Sequence, residues 1–130
     1  MAGYTITNLK DLENSAERFG MAPNLEARFA RDALGAEQLA MSYQRLAPGF
    51  RMPFGHRHGT QEELYVVVGG SGRVKLDDDV HDVGEWDVVR AAKETMRAFE
   101  AGPDGLEYLV IGSPKTGPGD ADVVQGWWAD

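Results

Sequence analysis

The chain reads as an all-β domain, a barrel or a sandwich, with a short helical segment near its N-terminus. Three observations predict this class. Gly, with 16 copies, and Pro, with 6, punctuate the chain at short intervals. The segments between them are short and often rich in β-branched and aromatic residues, which suit a pleated surface. The gaps are shorter than the dozen or so residues of a helical crossover, so neighbouring strands should pair antiparallel through tight turns.

The elements follow in order. Asp11 to Phe19 is expected to form one or two helical turns, because Leu12, Ala16 and Phe19 fall at helical spacing and Gly20 can close the segment. Pro23 resets the chain, and Glu26 to Asp32 is expected as a strand. Leu39 to Leu46 is the next strand, its Ala40, Ser42 and Gln44 opposing Met41, Tyr43 and Arg45. Pro48-Gly49 ends it. Glu63 to Val68 reads as a buried strand. Gly69-Gly70-Ser71-Gly72 is expected as a flexible turn, with Arg73 to Leu76 as the return strand. Asp77-Asp78-Asp79 makes another turn, followed by short strands at Val80 to Val83 and Trp86 to Ala91. Met96 to Glu100 and Glu107 to Ile111 form the last pair, joined by a turn at Gly102-Pro103-Asp104-Gly105. The tail begins Gly/Pro-rich and ends with Trp127 and Trp128. Two adjacent Trp carry a large apolar surface, which either docks on this chain's own barrel or covers a neighbouring subunit.

The bulk properties bound the function. At 130 residues the chain is about one domain, and 42% hydrophobic residues supply one proper core. The expected division is a core over residues 26–111, an N-terminal arm over 1–25 and a tail over 112–130. A formal charge of −8 disfavours a nucleic-acid partner and an anionic membrane surface. Met1 to Lys10 lacks the apolar run of a signal peptide, and no apolar run approaches the roughly 20 residues of a membrane span. Cysteine is absent, which excludes disulfides and thiolate chemistry and fits a cytoplasmic protein.

The chemistry gathers at His56 and His58, two of only three histidines. Alternation along an extended strand sends both imidazoles to one face, where two nitrogens can reach one ion. Glu62 and Glu63 follow at the head of the buried strand. Two imidazoles and a carboxylate make the facial arrangement used by non-haem iron and open to zinc and other first-row divalent metals. His81, among carboxylates, is read as an exposed side chain. The Asp77-Asp78-Asp79 run has no calcium-loop pattern around it, and the Gly69 to Gly72 run has no phosphate-loop Lys after it.

The segment from Gly49 to Gly70 resembles the first cupin motif: a Gly, His-x-His, a Glu and a closing Gly, with Gly49 one residue further from His56 than usual. His58 with either Glu62 and Gly69 or Glu63 and Gly70 fits the spacing. Glu63 is preferred because it stands directly before the apolar run. The resemblance extends to about residue 111. It implies a double-stranded β-helix (jelly-roll) barrel, a metal site at His56, His58 and Glu63, and a homodimer. The second cupin motif, P-x-G-x-x-H, aligns with Ala92, Glu94 and Arg97, so all three signature residues are replaced. Arg97 stands where the fourth ligand is expected and cannot ligate, having donors only. It either pairs with Glu63 or a bound carboxylate, or turns outward and leaves Met96 inside. Glu94 is a further candidate ligand from the turn.

Tyr43, Arg45, Phe54, Tyr65, Met96 and Arg97 are candidate ligand-binding residues of the barrel. Two functions remain open at this point. One is a small-molecule-binding barrel centred on His56, His58, Glu63 and Arg97, in which no metal need bind. The other is a metal-dependent dioxygenase or isomerase using Fe, Mn, Ni or Zn.

Overall fold

A computed structural model describes residues 3–113 and 121–129. Notably, the Gly/Pro-rich start of the tail, 114–120, lies outside the described residues. Two single 3-10 turns, Leu9–Asp11 and Ser15–Glu17, form the N-terminal arm, capped by the side chains of Asn8 and Asn14. The expected helical stripe is broken there. Ala16 is buried in the core, whereas Phe19 is exposed.

The strands are β1 (Leu25–Phe29), β2 (Ala40–Leu46), β3 (Phe54–His58), β4 (Glu63–Leu76), β5 (Asp79–Gly84), β6 (Val88–Ala91), β7 (Arg97–Gly112) and β8 (Ala121–Gln125). Strand β1 stops at Phe29, short of the expected Asp32. Arg31–Leu34 instead makes one α-helical turn, α1, which Gly35 closes in the left-handed region at φ 66°.

Strands β4 and β7 organise everything else. The first half of β4, from Glu63 to Gly70, pairs antiparallel with the second half of β7, from Leu106 to Gly112. The second half of β4, from Gly72 to Leu76, pairs with the first half of β7, from Arg97 to Ala101. Strand β2 joins the second half of β7, and β6 joins the first half of β4, giving the order β1–β2–β7–β4–β6. Strand β3 joins the first half of β7 through His56 and Arg97, and β5 joins the second half of β4, giving β8–β3–β7–β4–β5. The two sheets share β4 and β7 and curl over one core, as a jelly roll does.

Two expected turns are therefore corrected. Gly69 to Gly72 lies within continuous β4, and Gly102 to Gly105 lies within continuous β7. Both are sites of register shift. Between the pairs Gly70 with Leu106 and Gly72 with Ala101, Ser71 alone faces residues 102–105. The glycines are demanded by close approach rather than by flexibility. A Cβ at Gly70, whose φ is +73°, would sit 2.1 Å from the Gly105 carbonyl oxygen, and one at Gly72 would sit 2.2 Å from that of Glu100. These bulges also reverse which alternate residues face inward. Tyr65 and Val67 are buried before them and Val74 after.

Two further expectations change. Trp86 is not in a strand but in the turn before β6, at φ 71° and exposed. The tail supplies β8, a strand not foreseen, which pairs with β3 from Phe54–Gln125 to His58–Ala121. Beyond it Trp127 and Trp128 dock on this chain's own barrel. Trp127 lies over Gly55, where a Cβ would stand 2.4 Å from its ring, and beneath the Lys75 ammonium. Trp128 is buried, with the Arg51 guanidinium 4.6 Å and the Arg73 guanidinium 5.5 Å from its ring.

Candidate metal centre

Strand β3 delivers His56 and His58 to one face because alternate residues of an extended strand share a side. Their rings meet edge to face with centroids 5.1 Å apart. Strand β4 delivers Glu63 from the other sheet. One ligand atom from each of His56, His58 and Glu63 lies within 4.8 Å of the others. His58 Nε2 is 3.2 Å and His56 Nε2 3.7 Å from Glu63 Oε1. Glu62 points away and makes an exposed ion pair with Arg90 at 2.5 Å. Of the two adjacent glutamates, Glu63 is thus the one that joins the histidines.

Arg97 is inside the barrel and has no exposure. Its Nε donates to the Tyr65 hydroxyl at 3.1 Å, Nη1 to the Thr95 carbonyl at 2.7 Å and Nη2 to Glu63 Oε1 at 3.3 Å. The Tyr65 hydroxyl also donates to Glu63 Oε1, at 2.7 Å. Burial alone would raise the Glu63 carboxyl. The His56 and His58 rings and the Tyr65 hydroxyl outweigh it and hold the group well below the usual carboxylate range. Burial and the neighbouring Glu63 charge push the Tyr65 phenol well up, so it remains a donor.

The donor set suits a divalent transition ion. Two imidazoles and an ionised carboxylate converge from two elements, as three-protein-ligand sites require. Arg97, at the position where the motif resemblance implies a fourth ligand, faces Glu63 instead. It bonds the carboxylate and leaves the protein three donors. Met96 is buried beside it, and Glu94 is exposed in the preceding turn.

A cavity of about 280 Å³ opens beside these residues. Its walls are mainly apolar: Met52, Phe54, Phe99, Tyr108, Val110 and Val123 among them. Tyr65, Phe99 and Tyr108 form one aromatic cluster, with centroids 4.9 Å apart for Tyr65–Phe99 and 4.5 Å for Phe99–Tyr108. Phe54 and Tyr65 line the cavity.

Tyr43, Arg45, Met96 and Arg97 do not line it. Strand β2 presents Ser42 and Gln44 to the cavity, and Tyr43 lies on the opposite face. There its hydroxyl donates to Glu107 Oε1 at 2.5 Å and accepts from Lys10 Nζ at 3.0 Å. The alternation along β2 was legible, but not which face is inside. The N-terminal arm covers Tyr43, so an aromatic residue sits buried on the outer face. Phe99, Tyr108 and Val110 were also missed. Their signal was pairing: Val110 lies opposite Tyr65, Tyr108 opposite Val67, and Phe99 opposite Val74.

No family model matches this chain, and no curated protein matches it. Solved structures do. The chain is similar to a cupin protein from Bacteroides fragilis, with 21% identity, 91% of this chain and 89% of that one covered, and a TM-score of 0.70. It is similar to the polyketide cyclase RemF of Streptomyces resistomycificus, with 20% identity, 97% and 87% covered, and a TM-score of 0.73. It is also similar to a variant of the oxalate decarboxylase of Bacillus subtilis, with 24% identity and a TM-score of 0.72, over 93% of this chain but only 33% of that one. The chain therefore has the cupin fold, and the likeness is one of fold. In that fold His56, His58 and Glu63 form a group of ligand atoms that could hold a metal ion.

Proposed function

We propose that the barrel binds an apolar, oxygen-bearing small molecule beside a divalent metal held by His56, His58 and Glu63. The observation that carries this reading is the convergence of those three ligand atoms within 4.8 Å at a cavity lined mostly by apolar and aromatic side chains. When bound, such an ion supplies Lewis acidity toward a ligand oxygen. The chain's own residues do the rest. Tyr65 and Arg97 keep Glu63 ionised and oriented. Phe99, Tyr108 and Val110 pack the ligand's apolar body and exclude water. One protein of the same fold is a polyketide cyclase, and aromatic walls of this kind suit a ring-bearing ligand.

The test is metal content and uptake. Protein purified without chelators, or dialysed against Fe, Mn, Ni or Zn salts, should retain near-stoichiometric metal by elemental analysis. The H56A and H58A variants should lose it. The contact between Arg97 Nη2 and Glu63 Oε1 favours a second reading, in which an ion pair replaces the metal and the imidazoles meet the ligand directly. Wild-type protein that takes up none of these metals yet still binds apolar ligands would establish that reading instead.

A further inference from the structure

The outer face of the sheet β1–β2–β7–β4–β6 is apolar where a solvated antiparallel sheet is polar. In its register Met41, Ile111 and Leu64 stand side by side across β2, β7 and β4. Leu109, Val66 and Val88 form the neighbouring row across β7, β4 and β6. The residues that alternate with them, Tyr65, Tyr108 and Val110, are buried in the core. Leu64 is 39% and Val88 58% exposed, and the other four members of the rows are half-buried.

The N-terminal arm reaches the same face. Arg28 Nη1 donates to the carbonyls of Lys10 and Leu12, and the Lys10 ammonium stands 4.1 Å from the centre of the Tyr43 ring. Tyr43 lies opposite Leu109, so the arm is fixed beside the apolar rows. Before that point it is free. Tyr4-Thr5-Ile6-Thr7 has the composition and alternation of a strand. It belongs to no strand, and its backbone makes no hydrogen bond among the described residues. Tyr4 is 76% and Ile6 86% exposed.

We propose that this face is the contact between two copies of the chain, and that each copy's arm lays Tyr4 and Ile6 across the rows of the other. Arm and face are complementary halves that the single chain does not close on itself, and a two-fold axis closes both at once. Size points to a second copy that brings its own arm. Strands about 4.8 Å apart make the two rows roughly 14 Å by 14 Å. That falls well short of the roughly 800 Å² that each partner buries in a stable interface. The arm, extended over residues 3–7, spans about 17 Å, enough to cross the rows and add the missing area. Charge agrees. The chain carries −8, which opposes self-association in general. At the rim of this face, however, Glu62 pairs with Arg90 and Glu26 with Arg28, so each copy offers both signs to the other.

The test is the oligomeric state of the full chain, by light scattering and sedimentation equilibrium at tens of micromolar protein. Wild type should have twice the monomer mass. Leu64→Lys combined with Val88→Lys places charges at two exposed positions and should give a monomer with the circular dichroism of the same barrel. Tyr4→Ser combined with Ile6→Ser leaves the barrel intact, since neither side chain packs on it, and should raise the dimer dissociation constant at least tenfold. A wild-type chain that stays monomeric overturns the inference. A dimer that neither pair of substitutions weakens overturns it too, because the contact then lies elsewhere. A dimer weakened by the lysines but not by the serines overturns the exchange of arms. If the lysine variant fails to fold, the serine variant still decides.

Discussion

Arg97 is the residue on which the chemistry of the barrel turns. A charged side chain without exposure is tolerated because three partners, Tyr65, Thr95 and Glu63, take up its donors. Removing one side of a buried pair is expensive, so Arg97→Met should cost about 3–5 kcal/mol in denaturant unfolding. The double variant Glu63→Gln with Arg97→Met should cost less than the sum of the singles. Arg97→His should act differently. It exchanges a cation for a fourth nitrogen donor and should tighten metal binding at least tenfold, read by competition with a chromophoric chelator. The pair of histidines in the candidate centre was legible in sequence because His-x-His needs only an extended backbone to place both rings. The inward position of Arg97 was not. Whether a guanidinium turns in or out depends on Tyr65 and Glu63, which reach it from another strand.

Among the elements, β4 and β7 show why two segments were misread. Glycine clusters were expected as turns because glycine frees the backbone, but here they permit contact. At Gly70 and Gly72 a side chain would collide with the carbonyls of the facing strand. Gly70→Ala and Gly72→Ala should each destabilise by about 3 kcal/mol or more. Gly84→Ala, with nothing near its would-be Cβ, should stay within about 0.5 kcal/mol of wild type in the same urea titration. Strand β8 escaped notice for a different reason. Its hydrogen bonds go only to β3 among the described strands, so its formation depends on a distant partner, and Val123 and Val124 remain partly exposed. The Trp anchors beyond it hold the end of the chain. Trp128→Ala should raise amide exchange across Ala121–Gln125 while β4 and β7 keep their protection.

At the scale of the whole molecule, antiparallel pairing was accessible once tight turns and short gaps excluded crossovers. The sharing of β4 and β7 between two sheets was not, because it arises from non-local pairing. Charge contributes as well. Glu100 accepts from Arg51 and Arg73, the two guanidiniums that hold Trp128. Burial works against its ionised form, but Arg73 and Arg51 win and lower its carboxyl below the ordinary value of 4.5. Stability from this pairing is therefore fully present above pH 4.5 and lost as pH falls through the lowered value in the folded state. Glu100→Gln should be less stable than wild type at neutral pH, and the difference should shrink in acid, by thermal unfolding across that range.

The placement of Glu63 on one sheet and of His56 and His58 on the other makes the centre a clasp as well as a site. An ion held by all three would tie the halves of the barrel together. Its binding free energy would then be felt as resistance to their separation, growing with metal concentration. Conversely, any distant change that lets the sheets slide apart, even one confined to the glycine crossing of β4 and β7, would loosen the grip on the ion before it unfolded the chain.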